Sequence, residues 1–467
     1  MLISIEVSFT QKPDIRERAS KVVEAFGIGL QRTTFALFDG VQIDIRPGDI
    51  VYVTGDSGGG KSVLLGELKN KLTDSGMDIF GEVCISRDLP LDEDEVLVDS
   101  IGRTVEEAIL YLSFAGLNDA YLFLSRYRDL SDGQKYRYKI AKMLSLNKDV
   151  LIFDEFCSML DRDTAKAVAF CLQKLIRKSK KTLIVATAHD DLIQDLSPSV
   201  LIRKNYGCET DITYPKTLSN RCSLMDNVTI QHGTIEDWHS LEYFHYRAGI
   251  PYGLQKIFVA KMKERTVGAI IYSNSPLSCR PRNQFLGHVP TAKEVNKDFV
   301  IISRVVVLPK FRGIGLAVRL VKETLPLIRK RYVETIAVMA RYNPFFAKAG
   351  MTEVKYEANK DESQILNKLD GFGFSQELSA SVEHNLQVIE NLKQEELSQL
   401  IEIASHSRNA VGNLVGHVAV SREDALVLLQ DKTTLAEVIS WIAKIAQEKC
   451  YYIWENQELM QQVTRIE

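Results

Sequence analysis

A glycine-rich segment at the end of an apolar run constrains the fold of this chain more than any other feature. It follows residues 50–54 and reads Gly55-Asp56-Ser57-Gly58-Gly59-Gly60-Lys61-Ser62. This pattern predicts a buried strand that turns into a helix N-terminus, where glycines let backbone N–H groups point at phosphate oxygens. We expect Gly55, Ser57, Gly58 and Gly60 to line the phosphates, Lys61 to reach the outer ones and Ser62 to ligate Mg²⁺.

Four further motifs follow this P-loop in order. They are Leu130-Ser131-Asp132-Gly133-Gln134, the apolar run 150–153 ending in Asp154 and Glu155, Ser158-Met159-Leu160-Asp161, and His189 after the run 182–187. The ordered set closely resembles that of ABC-type ATPases. The resemblance implies that Ser131, Gly133 and Asp161 contact ATP. It also implies that Asp154 holds Mg²⁺, that Glu155 polarises the attacking water and that His189 senses the γ-phosphate.

The resemblance to transport ATPases is incomplete at one position. Those proteins carry a glutamine between the P-loop and the signature, whereas no Gln lies between Ser62 and Gly133. The acidic stretch 86–95 occupies this region, so one of its side chains could replace the missing ligand. Phe35 and Phe38 are the candidates for the aromatic residue that stacks on adenine, and a core role is open for both.

Apolar runs, cysteines and net charge indicate the cellular location expected for this chain. The longest apolar run, 299–308, is interrupted by Ser303 and Arg304 and falls short of the roughly 20 residues that a membrane helix needs. Seven cysteines without a C-x-x-C pattern indicate reduced thiols, and no signal-peptide pattern opens the chain. We therefore expect a cytoplasmic protein without a membrane partner. The net charge of −3 disfavours a uniformly basic surface that coats nucleic acid.

The 467 residues leave room for about three domains. In segment 1–227, strands alternate with helices predicted at 63–72, 135–146 and 164–178, which is typical of an α/β fold with a mostly parallel sheet. Its last part, 197–227, shows few periodic apolar residues and is interpreted as a connector. We expect segment 228–357 to form a second α/β domain and segment 358–467 a helical one.

The second half contains another glycine loop after a strand. The apolar run 299–307 leads into Leu308-Pro309-Lys310-Phe311-Arg312-Gly313-Ile314-Gly315-Leu316-Ala317. This segment resembles the pyrophosphate loop of GNAT-type acetyltransferases, R-x-x-G-x-A, in Arg312, Gly315 and Ala317. The resemblance implies that acetyl-CoA or a related acyl-CoA binds at the N-terminus of a helix over 316–327. The predicted contacts are Val305, Val307, Arg312, Gly313, Gly315 and Ala317.

A later segment strengthens the resemblance to these acetyltransferases. The apolar run 335–340 leads into Asn343, which would bond the pantetheine arm or a catalytic water. Many relatives carry a tyrosine general acid where this chain has Phe346, which has no proton to give. Either another group, such as Tyr342 or solvent, protonates the leaving thiolate, or the chemistry differs from simple amine acetylation.

Arg304 lies inside an apolar run, where an unpaired charge is expensive. Arg304 therefore needs a partner. Either it acts at the acyl site, where it is a candidate catalytic residue, or it forms a structural ion pair with a carboxylate. Ser303-Arg304 weakly resembles a Ser-Arg pair of phage Mom-type DNA base-modifying enzymes. The segment 278–284, with Arg280 and Arg282, is a further candidate substrate-side element.

Together these resemblances imply a non-transport ABC ATPase fused to a GNAT-like acetyltransferase. The interpretation we favour is an ATP-gated acyltransferase acting on a macromolecule, such as nucleic acid or a ribonucleoprotein. Alternatives are a Mom-like DNA modifier, an ATP-driven remodelling module with a non-catalytic second half, and a protein acetyltransferase. Since each chain has one P-loop and one signature, the resemblance also implies a homodimer formed through the ATPase domain.

Overall fold

The computed structural model of this chain describes residues 1–11, 16–27, 32–74, 77–216, 218–245, 249–338, 340, 343–355, 360–375, 378–415, 420–446 and 449–459. The chain divides into two compact units. Unit 1 comprises Met1–Ser273 and Arg304–Leu327, and unit 2 comprises Asn274–Ser303 and Ile328–Glu467. The division differs from the segments expected from the sequence, because residues 228–273 and 304–327 belong to unit 1.

The strands are numbered in chain order. They are β1 Leu2–Gln11, β2 Thr33–Asp44, β3 Ile50–Gly55, β4 Val83–Ile85, β5 Val150–Phe153, β6 Thr182–Ala186, β7 Val200–Lys204, β8 Thr210–Thr213, β9 Val228–His232, β10 Leu254–Met262, β11 Arg265–Ser273, β12 Phe299–Val307, β13 Tyr332–Ala337, β14 Thr352–Val354 and β15 Cys450–Glu455. Strand β12 is shared, because its residues up to Ser303 belong to unit 2 and those from Arg304 to unit 1.

The helices of unit 1 surround its strands. They are α1 Glu17–Phe26, α2 Lys61–Asp74, α3 Met77–Phe80, α4 Val105–Phe114, α5 Ala120–Phe123, α6 Asp132–Ser145, α7 Arg162–Ser179, α8 Ile193–Leu196, α9 Ile235–Glu242 and, after two helices of unit 2, α12 Leu316–Thr324. Helices α2, α6 and α7 confirm those predicted at 63–72, 135–146 and 164–178.

A six-stranded sheet in the order β4-β5-β6-β3-β7-β8 is the centre of unit 1. All neighbouring pairs are parallel except β7 and β8, which confirms the predicted α/β class. Both faces are covered: Ile50 and Tyr52 pack into one apolar core, whereas Val51 and Val53 pack into the other. This is why β3 is apolar throughout instead of alternating with polar residues.

The interpretation of 197–227 as a connector was wrong. Strands β7 and β8 lie within it, and β7 pairs in parallel with the strand that precedes the P-loop. The signal was the short apolar run Val200-Leu201-Ile202, all three of which are buried. A short buried strand that pairs with a strand from a distant part of the sequence shows only a brief apolar run and no periodic pattern.

Strands β1 and β2 form a two-stranded antiparallel sheet. In a further sheet, β9, β10 and β11 are antiparallel neighbours and β12 lies next to β11. The N–H of Leu308, directly after β12, donates to the carbonyl of Val267 in β11 at 3.0 Å. Helix α12 begins eight residues later, after a short 3-10 turn over Pro309–Phe311. Strand and helix formed as predicted at 299–307 and after 315.

Unit 2 combines strands with a group of helices. Its helices are α10 Arg280–Leu286, α11 Ala292–Asp298, α13 Phe345–Lys348, α14 Lys360–Asp370, α15 Val382–Glu390, α16 Gln394–Ser405, α17 Arg408–Leu414, α18 Arg422–Leu428 and α19 Lys432–Ala446. Helices α14 to α19 share one apolar core. They are followed by β15, which lies antiparallel between β13 and β14. The segment expected to be helical from 358 to 467 thus also contains a strand, whose Tyr451, Tyr452 and Ile453 are buried.

Smaller features of the fold concern the cysteines, two helix starts and the length of the apolar helices. Each of the seven cysteines is a free thiol, as predicted. Ser421 is the N-cap of α18, whereas Thr434 lies inside α19, where Asp431 accepts its N–H at 2.8 Å. None of the helices in the described ranges is both long and apolar enough to cross a membrane.

Candidate nucleotide site and second glycine loop

The P-loop connects β3 directly to α2. Gly58 and Gly60 adopt φ angles of 78° and 93°, which side chains of L-residues rarely tolerate. The Nζ of Lys61 donates to the carbonyls of Gly55 and Asp56 at 2.8 and 2.7 Å. Ser62 is exposed at the first turn of the helix. The loop thus presents a lysine and a hydroxyl at a helix N-terminus, which is an arrangement suited to phosphate and its metal ion.

The turn after β7 supports the P-loop from behind. A Cβ on Gly55 would lie 2.0 Å from the carbonyl oxygen of Lys204, so only glycine fits there. The hydroxyl of Tyr206 donates to the carbonyl of Ser57 at 3.1 Å. These two supporting residues were missed from the sequence because their segment was taken for a connector.

The two carboxylates after β5 lie at the same sheet edge as the P-loop. Strands β5, β6 and β3 are parallel neighbours, so their carboxyl ends coincide. Asp154 is half-buried, and its Oδ1 accepts the N–H of Glu155 at 3.0 Å, while Glu155 is exposed. A hydroxyl and a carboxylate are ligands that suit Mg²⁺, so Ser62 and Asp154 fit the ion that the motifs imply.

The backbone at Glu155 and Cys157 is strained. Their φ angles are 48° and 56°, a left-handed conformation that costs a non-glycine residue about 1–2 kcal/mol. Two hydrogen bonds hold the turn: the N–H of Phe156 donates to Ala186 O at 2.7 Å, and that of Cys157 to the Tyr136 hydroxyl at 2.8 Å. The turn directs Glu155 outward while Phe156 and Cys157 are buried. Strain of this kind is often found at functional positions.

His189 follows β6 in a loop that is tied to β3. The buried Tyr52 donates its hydroxyl to the carbonyl of His189, and Thr54 Oγ1 donates to Asp190 Oδ1 at 2.6 Å. Burial, followed by the charges of Asp190 and Asp191, raises the pKa of Tyr52, so this hydroxyl remains a donor. The predicted switch histidine therefore lies at the same sheet edge as Asp154.

Asp161 begins α7 and contacts the second glycine loop. Its carboxylate accepts the N–H and hydroxyl of Thr164 at 3.2 and 2.6 Å, which caps the helix. The Nζ of Lys310 lies 3.5 Å from Asp161 Oδ1 and 3.1 Å from Asp163 Oδ2. Burial raises the pKa of Asp161, but the bonds from Thr164 and the charge of Lys310 outweigh it and hold the pKa below its usual range.

The signature motif forms the N-terminus of α6. Ser131 is the exposed N-cap of this helix, and Gln134 completes a capping box by accepting the Ser131 N–H at 2.9 Å. Gly133 lies in the first turn, half-buried. Ser131 and Gly133 thus lie in an exposed first helical turn, where unpaired backbone N–H groups favour an anion.

The structure separates the two candidates for adenine stacking. Phe38 is 1% exposed and packs in the core of unit 1, whereas Phe35 is 55% exposed on the same strand. Leu37, between them, approaches the P-loop at Gly60, where a Cβ would lie 2.7 Å from its side chain. Phe35 is therefore the better candidate for contact with a base.

The stretch expected to replace the missing glutamine follows β4, beside β5. Asp88 there forms an ion pair of 2.5 Å with Lys69 of α2. Further along, Asp94 pairs with both Arg126 and Arg128, and Glu95 lies 3.6 Å from Lys142. Acidic side chains therefore partly neutralise three basic residues near the signature, Arg126, Arg128 and Lys142, which weakens this region as a nucleic-acid surface.

The backbone of the second glycine loop has the conformation expected for an anion site. The side chain of its arginine, however, does not face an anion site. Gly313 and Gly315 adopt φ angles of 82° and 97°, and Gly315 is the N-cap of α12, whose first turn contains Ala317. The Arg312 guanidinium, in contrast, donates to the carbonyls of Val307 at 2.8 Å, Phe244 at 3.0 Å and Asn118. Its side chain is thus engaged within unit 1.

The other residues predicted for the acyl site fall into two groups, one on β12 and one in unit 2. Val305 is half-buried and Val307 buried on β12, and Arg304 beside them is half-buried, although it lies inside an apolar run of the sequence. Asn343 is exposed in unit 2, whereas Tyr342 lies outside the described residues. Phe346 is a core residue of unit 2, with its ring centroid 5.9 Å from that of Tyr452.

Arg282, a candidate for substrate contact, is instead part of the interior of unit 2. It is fully buried, and its guanidinium lies 3.0 Å from Glu334, also fully buried. The other Glu334 oxygen accepts the Tyr451 hydroxyl at 2.6 Å. Burial, followed by the charge of Glu334, raises the pKa of Tyr451. The pair satisfies both charges, which is typical of a structural ion pair.

Known proteins resemble this chain only in part. No family model matches it. A methionine import ATP-binding protein MetN of Clostridioides difficile is 28% identical over 195 residues, 35% of this chain and 60% of that protein. The MetN of Corynebacterium diphtheriae is 29% identical over 236 residues, 42% of this chain and 67% of that protein. A solved dimer of the ATP-binding cassette MJ0796 with ADP and Pi aligns over 45% of this chain and 98% of that chain, at 19% identity and a TM-score of 0.34.

Geometry and sequence similarity together define the class of this site. A P-loop, two carboxylates and a loop histidine at the carboxyl edge of a parallel sheet form a P-loop nucleotide site. The similarity to the two MetN proteins makes this part of the chain homologous to the ATP-binding cassettes of ABC ATPases. The match spans about 60% of the first relative's length.

Proposed function

We propose that unit 1 hydrolyses ATP at the edge formed by β5, β6 and β3. Ser62 and Asp154 would hold Mg²⁺, Lys61 the outer phosphates, Glu155 would polarise the attacking water, and His189 would sense the γ-phosphate. The supporting observation is that these residues, far apart in sequence, follow three neighbouring parallel strands or begin the helix after one of them.

We propose that the working ATPase is a homodimer with isologous symmetry. Each chain carries one P-loop and one signature, so a second copy would supply Ser131 and Gly133 to the nucleotide. Both residues lie at an exposed helix N-terminus, and the MJ0796 cassette is described as dimeric. Sedimentation of the Glu155→Gln variant should give a dimer with saturating ATP and a monomer without it. A monomer in both conditions would contradict the homodimer.

We further propose that the second glycine loop binds the pyrophosphate of acyl-CoA. The supporting observation is a pair of left-handed glycines, Gly313 and Gly315, at the N-terminus of the nine-residue helix α12. In this arrangement backbone N–H groups and the helix dipole both favour an anion. Arg312 would contribute through its backbone, because its guanidinium donates to three carbonyls.

Calorimetric titration of acetyl-CoA tests this assignment. The wild type should bind, and Gly315→Glu should not, because the new side chain adds strain and a negative charge where phosphate must approach. ATP hydrolysis by Gly315→Glu serves as the control and should persist. A wild type that binds no acetyl-CoA would refute the acyl-CoA site.

The proposed activity as a whole is ATP-gated acyl transfer to a macromolecule, such as nucleic acid or a ribonucleoprotein. Mass spectrometry of nucleic acid and protein from cells with and without the gene identifies the acceptor and the group transferred. A modified base other than an acetylated one would favour the Mom-like alternative. Acetylated lysines or N-termini would favour a protein acetyltransferase.

Among the alternatives, the geometry most favours a GNAT-like segment that does not catalyse acyl transfer. Phe346 packs in a core, and Arg312 is engaged with carbonyls, so neither side chain is available for acid catalysis or for phosphate. In that case the chain would be an ATP-driven binding or remodelling module. Acetyl-CoA binding without any transferred group would support this alternative.

A further inference from the structure

The second glycine loop is docked on the helix that begins at Asp161. Within unit 1, Lys310 lies 3.1 Å from Asp163 and 3.5 Å from Asp161, on either side of Arg162. Three residues further on, a Cβ at Gly313 would lie 2.8 Å from Cys171 Sγ, also in α7. The loop thus contacts this helix at its first turn and near its middle, without room for a larger residue at Gly313.

The same helix start is tied to the loop that carries His189. Arg162 forms a two-pronged ion pair with Asp191, of which the Nε–Oδ2 distance is 3.0 Å. Asp191 is two residues from His189, whose carbonyl accepts the Tyr52 hydroxyl. Two sets of ion pairs therefore meet at the start of α7. Lys310 binds the carboxylates of Asp161 and Asp163, and Arg162, which lies between them in the sequence, binds Asp191 in the loop of the proposed switch histidine.

The ion pairs of Lys310 are too exposed to hold the fold together. The exposed side-chain fractions are 23% for Lys310, 35% for Asp163 and 60% for Asp161. Solvent screens such pairs, and they contribute little to the free energy of unfolding. They can nevertheless set the position of the carboxylates, because without the lysine the two acidic groups would repel each other. A change at Lys310 is therefore expected to alter geometry and not stability.

We propose that Lys310 is a positioning residue for ATP hydrolysis, through which the second glycine loop holds the start of α7 and, by way of Arg162, the His189 loop. The rate of hydrolysis then depends on a segment that lies some 120 residues beyond the last ATPase motif in the sequence. This inference rests on ATP hydrolysis by unit 1 and is independent of acyl transfer. The contacts of Lys310 would couple the second glycine loop to the proposed ATP site.

Steady-state kinetics of three variants test the role of Lys310. Lys310→Met should lower kcat for ATP about five- to tenfold, within the range seen for residues that couple sites. The dissociation constant for ATP should change by less than about twofold, since no phosphate contact is lost. Lys310→Arg, which keeps the charge, should restore most of kcat. Lys322→Met is the matched control, because Lys322 is an exposed lysine of α12, and its kcat should equal that of the wild type.

Several results would overturn the inference. An unchanged kcat in Lys310→Met would show that the contact is incidental. Equal losses in Lys310→Arg and Lys310→Met, or a loss in ATP affinity that matches the loss in kcat, would point to a general structural defect. If the wild type itself does not hydrolyse ATP, the proposed ATPase function fails as well, and the two failures are thereby distinguished.

Discussion

The two glycine loops of unit 1 share a local design but differ in what surrounds them. Both follow a strand, contain left-handed glycines and begin a helix. In the P-loop, neighbouring residues support the backbone and leave Ser62 exposed. In the second loop, Lys310 and Arg312 are engaged with other parts of unit 1. The two loops share a backbone design. The P-loop leaves the side chain of Ser62 open to a ligand, whereas the second glycine loop uses part of its side chains for contacts within unit 1.

The comparison extends to the glycines themselves. Gly55 is packed against backbone, whereas nothing lies within 4 Å of a Cβ at Gly315. Both glycines have positive φ angles, 128° at Gly55 and 97° at Gly315. Gly55 is required for its backbone conformation and for packing, whereas Gly315 is required only for its backbone conformation. The difference between the two alanine substitutions therefore measures the packing contribution.

The largest effect is expected for Gly55→Ala. Its Cβ would lie 2.0 Å from a backbone oxygen, so we expect the free energy of unfolding to fall by about 3 kcal/mol or more. Gly315→Ala, the matched variant, should cost only about 1–2 kcal/mol from its left-handed backbone. Urea denaturation of both variants measures the difference. Equal losses would mean that the turn after β7 does not support the P-loop as described.

The second prediction concerns chemistry that only one of the loops serves. Glu155→Gln should bind ATP nearly as the wild type does but hydrolyse it about a hundredfold more slowly, about 2.7 kcal/mol in activation free energy. Binding of acetyl-CoA should not change. Turnover assays with Glu24→Gln, an exposed glutamate of α1, provide the control. Unaltered turnover in Glu155→Gln would remove Glu155 from the mechanism.

The smallest effect distinguishes the cations of the two loops. Arg312→Met leaves three carbonyls without their donor, so we expect a loss of about 2 kcal/mol in the free energy of unfolding. Lys61→Met should weaken ATP binding and lower the free energy of unfolding by only about 1 kcal/mol, because it removes the donor of two carbonyls, one of which is exposed to water. Thermal unfolding together with ATP titration measures both quantities. A stable Arg312→Met variant that has lost acetyl-CoA binding would restore this arginine as a ligand for phosphate.

Much of the proposed ATP site could be predicted from the sequence because its motifs are local. The P-loop, the run ending in Asp154 and Glu155, and the helices after them each depend on short-range rules of turn and helix formation. The positive φ at Glu155 was not predictable, since it depends on Tyr136 and Ala186, which approach from other parts of the chain. Nor was Phe35 separable from Phe38, because both lie on one strand and only burial distinguishes them.

Local sequence patterns were sufficient to predict the α/β class of unit 1, the order of its motifs and the position of the second glycine loop. Three long-range pairings became visible only in the folded chain: β7 belongs to the central sheet, Arg282 pairs with Glu334 in the interior, and Lys310 contacts Asp161 and Asp163. The two groups differ in the range of the interactions. Turns and helix starts are set by neighbouring residues, whereas the partner of a charged or apolar side chain is set by which distant segments fold against it.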